Sequence, residues 1–136
     1  MERSREGIEK AQHEATKLLK RFGVECASHV NVEGFAARLG VALVDAPLQG
    51  ATAQLVVTKG RARILLSTRI SAEQRRYAVA HELGHFVLNH PAPPAEALSS
   101  SQYLRCSEHS DIEDEAHCFA LRILSPTHGP WTDFEG

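Results

Sequence analysis

Apolar residues recur at helical intervals through the first part of the chain. Ile8, Ala11, Ala15, Leu18, Leu19 and Phe22 fall on one face, and Gly23 follows as a stop, so residues 6–22 are expected to form a helix. A second, shorter helix fits 31–39. Asn31 caps it, Val32, Phe35, Ala36 and Leu39 make its apolar face, and Gly40 ends it. The texture then changes to short β-rich runs, "VALVDAPL", "ATAQLVVT" and "ARILLST", separated by Pro47, Gly50 and a turn "KGR" around Gly60. These runs predict a small, mostly antiparallel three-stranded sheet, with a tight hairpin between the last two strands.

Helical spacing returns at Ser71. "SAEQ" is a capping box with Ser71 as cap and Gln74 reaching back. Ala80, Leu83, Gly84, Val87 and Leu88 form the stripe of this helix, and Pro91 is expected to end it. A Pro- and Ser-rich stretch, "PAPPAEALSSSQYLRCSEHS", follows; so long a segment inside a compact domain is usually functional or mobile. A last helix is expected from about Asp111 to Leu124, with Pro126 beyond it and an irregular tail from about residue 127. No repeat or linker divides the chain. The expectation is one α+β domain over 1–136: N-terminal helices, the small sheet, a central helix and a C-terminal helix.

Composition narrows the classes. A 43% hydrophobic and 24% charged chain is globular, and 136 residues can bury a real core. The net charge of -2 and pI near 6.4 give no reason to expect nucleic-acid binding, and there is no basic stripe or helix-turn-helix pattern. The clusters "KLLKRFG" and "EQRRY" read as solvated helix faces. Three cysteines, Cys26, Cys106 and Cys118, with no C-x-x-C, argue against a secreted disulfide framework. The charged N-terminus has no apolar signal core, and no run approaches the roughly 20 apolar residues of a spanning helix. The expected setting is the cytoplasm, without a membrane.

The candidate chemistry lies in "YAVAHELGHFVLNH". His81 and His85 are four apart, so both imidazoles can reach one ion from one helix face. Glu82, offset by one position, can reach a water on that ion without being a ligand and take its proton. H-E-x-x-H also arises by chance on surface helices. Here it sits in the most apolar helix of the chain, where two histidines need a partner such as a metal. Gly84 keeps the helix slim where a substrate or second helix approaches. The last helix offers a third ligand. Glu113, Ala116, His117, Ala120 and Leu124 share one face, and the two alanines allow close approach. Glu113 is therefore favoured. The alternative is that Glu113 closes a capping box with Ser110 and Glu115 is the ligand. His117 is placed to hydrogen-bond a ligand histidine. Tyr103 and His109 are candidates to stabilise an oxyanion. Cys106, His109, His117 and Cys118 could instead build a structural zinc site, although such cysteines are more often core. Tyr77 reads as packing, and His90 as a cation or cap at the helix end.

"HELGH", followed later by Glu113, Glu115, Ala116, Phe119, Ala120, Ile123, Leu124 and Pro126 in the frame "E-x-E-A-x-x-F-A-x-x-(I/L)-L-x-P", resembles the ImmA/IrrE family of metallopeptidases. The upstream "VEGFAARLG" and "RRYAVAHELGH" are similar too, so the resemblance spans about residues 5–126. It implies a gluzincin-like domain with one Zn2+ on two His and one Glu. It also implies cleavage of a helix-turn-helix repressor as protein substrate, with relief of repression and no direct contact to nucleic acid. Two positions depart from the frame: His117 stands where Asn is common, and Ser125 where an apolar residue is common. The competing reading is a zinc-containing binding module that cleaves nothing, such as an anti-repressor or a toxin–antitoxin component. Pure binding does not require Glu82.

Overall fold

The computed structural model describes residues 2–24, 31–48, 50–91 and 110–125. Four helices and three strands follow one another: α1 (Glu2–Arg21), α2 (Val32–Arg38), β1 (Ala42–Ala46), β2 (Ala53–Thr58), β3 (Arg61–Ser67), α3 (Ala72–Val87) and α4 (Ser110–Leu124). The fold is a compact α+β unit. No described helix is long and apolar enough to cross a membrane.

The sheet corrects one expectation: it is mixed, not mostly antiparallel. Its order is β1-β3-β2, with β2 antiparallel and β1 parallel to the central β3. The β2–β3 hairpin turns on Lys59 and Gly60, both at positive φ (53° and 76°), the pairing a two-residue hairpin of matching twist requires. The segment after β1, with Pro47 and Gly50, instead carries the chain to the far edge, so β3 returns parallel to β1. A hairpin is encoded locally by its turn residues, whereas the partner of β1 depends on where a longer connection leads.

β3 alternates strictly, and its inward residues Ala62, Ile64 and Leu66 join Leu55 of β2 in the core. α3 lies across β2 and β3 on one side and α4 on the other, and α1 closes the outer face of α4. Leu19, Leu55, Ile64, Leu66, Leu83, Phe119 and Ile123 are almost wholly buried between these layers. Each such side chain contributes about 1.5–3 kcal/mol. This clamp fixes α3, whose residues Ala78, Val79, Ala80, Glu82, Leu83, Gly84 and His85 are all buried. The second half of α3 thus lies at the centre of the fold, while Ala72, Glu73 and Gln74 at its start are exposed.

The helix ends follow local rules. Asn31 caps α2 by accepting from Gly34 N, and the Ser71–Gln74 capping box opens α3 with both of its bonds made. α3 stops at Val87, three residues short of the position Pro91 alone would dictate. Asn89 adopts the left-handed conformation (φ 61°), with Asn89 N–H donating to Phe86 O and His90 N–H to His85 O. This is a Schellman motif with Asn in the glycine position. It folds His90 back over the last turn of α3, which matters for the site.

Candidate metal centre

α3 and α4 meet where side chains are smallest. A Cβ on Gly84 would stand 3.1 Å from Ala116 O, and Ala116 and Ala120 are fully buried. At this close crossing Glu113, one turn before Ala116, reaches the two histidines of α3. Its Oε1 lies 2.9 Å from His81 Nε2 and 3.3 Å from His85 Nε2. One ligand atom from each of the three residues falls within 4.8 Å of the others. Nitrogen and oxygen ligands on a tetrahedral ion sit about 3.4 Å apart, so the three atoms fit a shared cation with little adjustment.

The outward-facing nitrogens support the same reading. His81 Nδ1 lies 3.1 Å from the Tyr77 hydroxyl, which in turn lies 2.7 Å from His117 Nδ1. Burial first, then the nearby Glu113, Cys118 and Glu82, pushes the Tyr77 phenol above its ordinary value, so it remains an O–H. It can accept from His81 Nδ1–H and donate to His117. His85, with no exposure, has its Nδ1 2.9 Å from His90 Nδ1, and His90 Nε2 lies 2.8 Å from Glu115 Oε1. Each candidate ligand histidine thus has an outward partner on Nδ1, leaving Nε2 to face Glu113.

Glu82 follows His81 on α3 and turns toward β2. It is 6% exposed, and its Oε1 accepts from Leu55 N–H of β2 at 3.0 Å. The bond holds the carboxylate beside the histidines without making it a member of the triad. A groove of 620 Å³ opens along this side. It runs between the start of β2, from Gly50 to Gln54, and the face of α3 bearing Glu73, Tyr77, Ala78, His81 and Glu82, with Glu113 at its end. Ala51, Ala53 and Ala78 line it with small side chains. A cation held by the triad would lie at the wall of this groove, next to a carboxylate able to accept a proton.

The structure brings His81, His85, Glu82 and Glu113 together. Glu115 is turned away from the triad and accepts from His90 Nε2 instead. His117 reaches His81 only through Tyr77, not directly as its position on the Glu113 face suggested. Tyr103, His109 and Cys106 lie outside the described residues, and with them the oxyanion and cysteine–histidine readings. Tyr77 and His90 hold places that sequence reasoning assigned to packing and capping. For Tyr77 a signal existed, since 77, 81 and 85 share one helix face. For His90 none did, because its place depends on the backward fold at Asn89.

No curated protein matches the chain. The family model for the IrrE N-terminal-like domain matches residues 36–130, from the end of α2 through α4 and beyond. The match takes in both halves of the centre, the "HELGH" helix and the glutamate helix. The chain therefore belongs to the M78 peptidase family, as one of its IrrE N-terminal-like domains.

Proposed function

We propose that this protein is a zinc-dependent endopeptidase that cuts a protein substrate, a helix-turn-helix repressor, and so relieves repression. The observation that carries the reading is Glu82. A metal-binding module needs only His81, His85 and Glu113. Here a buried carboxylate is also held by Leu55 N–H at the edge of an open groove. When bound, zinc would acidify a water and polarise the carbonyl under attack. Glu82 takes the proton and later passes it to the leaving amine. His81, His85 and Glu113 hold the ion, and the groove beside β2 holds the substrate in extended form. The choice of a repressor rests on the family resemblance; an effect on transcription then needs no basic surface of the protein's own.

The test is to incubate the zinc-loaded protein with the helix-turn-helix repressor encoded nearest its gene and to identify fragments by mass spectrometry. Discrete fragments with wild type, and none with Glu82→Gln, are expected. Gln keeps an oxygen for Leu55 N–H and cannot take up the proton. Stable binding of the repressor without fragments would instead favour the non-catalytic module, and cleavage by Glu82→Gln at the wild-type rate would remove Glu82 from the mechanism.

A further inference from the structure

We infer that Glu115 and His90 form a positioning relay for His85, and that α1 is built to leave room for it. The inference rests on the metal-centre reading above. Its starting point is three contacts in line. The Glu115 carboxylate accepts from His90 Nε2–H at 2.8 Å. His90 Nδ1 meets His85 Nδ1 at 2.9 Å, on the side of the ring away from Glu113. The pair therefore braces the ring of a fully buried histidine from behind and keeps its Nε2 turned toward Glu113 Oε1, 3.3 Å away, where a shared cation would be held.

Three separate elements converge to make this chain. The Schellman motif at Asn89 folds His90 onto His85. α4 delivers Glu113 and Glu115, two positions apart, to different ends of the same imidazole pair. In α1, Gly7 faces the Glu115 carboxylate so closely that a Cβ there would collide with Glu115 Oε2. Glycine inside a helix is otherwise unfavourable, so its presence opposite this carboxylate has a steric reason. The "E-x-E" spacing acquires a division of labour: the first glutamate meets the metal and the second fixes the ligand histidine from behind. α1 lies outside the matched 36–130 segment and still touches the machinery.

The experiment measures zinc affinity by competition with a chromophoric chelator, together with the melting temperature of each metal-free variant. His85→Ala is the control for the metal centre itself. Glu115→Ala and His90→Ala are each expected to weaken zinc binding about 10–100-fold, the range for losing a partner behind a ligand. Glu115→Gln should recover most of the loss, because its side-chain oxygen accepts the same bond. The double variant should bind no more weakly than the worse single, since both break one chain. Gly7→Ala should also weaken zinc binding, although alanine favours the helix. Cobalt substitution gives a second readout, with a visible spectrum altered in Glu115→Ala and restored in Glu115→Gln. Wild-type zinc affinity in Glu115→Ala, a Gln variant no better than Ala, or a double variant that multiplies the single losses would each overturn the relay. If His85→Ala itself binds zinc normally, the metal-centre reading fails and the relay falls with it. If only His85→Ala is defective, the relay alone is wrong.

Discussion

Replacing Gly84 by alanine sets two known effects against each other. In an isolated helix the change would stabilise by about 1 kcal/mol, because glycine loses more backbone freedom on folding. Here the new methyl would sit 3.1 Å from Ala116 O, 3.1 Å from the Phe119 ring and 3.2 Å from Ala116 Cα, inside ordinary contact by a few tenths of an ångström. Two of those atoms are backbone of a buried helix, and Phe119 is 1% exposed, so none can swing aside. Overpacking of this kind costs about 1–3 kcal/mol, and the net expectation is a loss of about 0–2 kcal/mol. At about 4 °C per kcal/mol for a chain of this size, melting should fall by up to about 8 °C. The effect on metal is the more diagnostic part. α4 relieves the contact by moving outward, and it carries Glu113 away from His81 and His85. Zinc affinity should fall about tenfold, which removes about 1.4 kcal/mol from the stabilisation that saturating zinc supplies. Melting curves with and without zinc measure both numbers. A variant more stable than wild type by about 1 kcal/mol, with its zinc-induced shift intact, would show that the α3–α4 crossing is not tight and that Gly84 is not there for clearance.

Other expectations follow from the same geometry. His81→Ala and His85→Ala should both lose tightly bound zinc by elemental analysis. His85→Ala should also lose about 1–3 kcal/mol in chemical denaturation without metal, because it empties a fully buried position and removes the His85 Nδ1 contact of His90. Tyr77→Phe removes the hydroxyl between His81 and His117. It should weaken zinc toward the lower end of the roughly 10–100-fold range, with little change in metal-free stability. Burial, reinforced by Asp114 and opposed by Arg122, pushes the Cys118 thiol above its ordinary value of 9.0. It should therefore resist iodoacetamide at neutral pH in the folded protein and react after denaturation, as peptide mapping can follow.

What could be read in advance depended on whether the relevant contact was local. The i, i+4 spacing of His81 and His85 placed both on one face, and the small residues Ala116 and Ala120 marked the side of α4 that lies against Gly84 of α3. The Ser71 capping box and the Lys59–Gly60 hairpin are likewise written in adjacent letters. The parallel pairing of β1 was not, because Pro47 and Gly50 say that the chain turns without saying where it goes. Nor was the turn of Glu115 toward His90. That geometry needs the end of α3, the start of α4 and the bare backbone of Gly7 in one place, and no window of sequence contains all three. Tyr77 is intermediate: its spacing was visible, but a phenol one turn from a ligand is ordinarily packing, and only the approach of His117 from α4 gives its hydroxyl two partners.

The bond between Leu55 and Glu82 has a consequence for how β2 meets its surroundings. Ser67 N–H donates to Thr52 O, so in the antiparallel register the backbone groups of 52, 54, 56 and 58 serve β3, while those of 53, 55 and 57 point to the open edge. An open edge invites any passing strand. On this one, both groups of the middle residue are already taken: Leu55 N–H by Glu82, and Leu55 O by the Gln54 side-chain amide at 3.1 Å. Another extended chain laid against β2 could form ladder bonds at Ala53 and Val57 but would find a rung missing between them. The gap discourages indiscriminate strand addition and self-association. It also leaves any guest chain with an unladdered stretch of backbone opposite the carboxylate, where its peptide groups are not already committed to a neighbour.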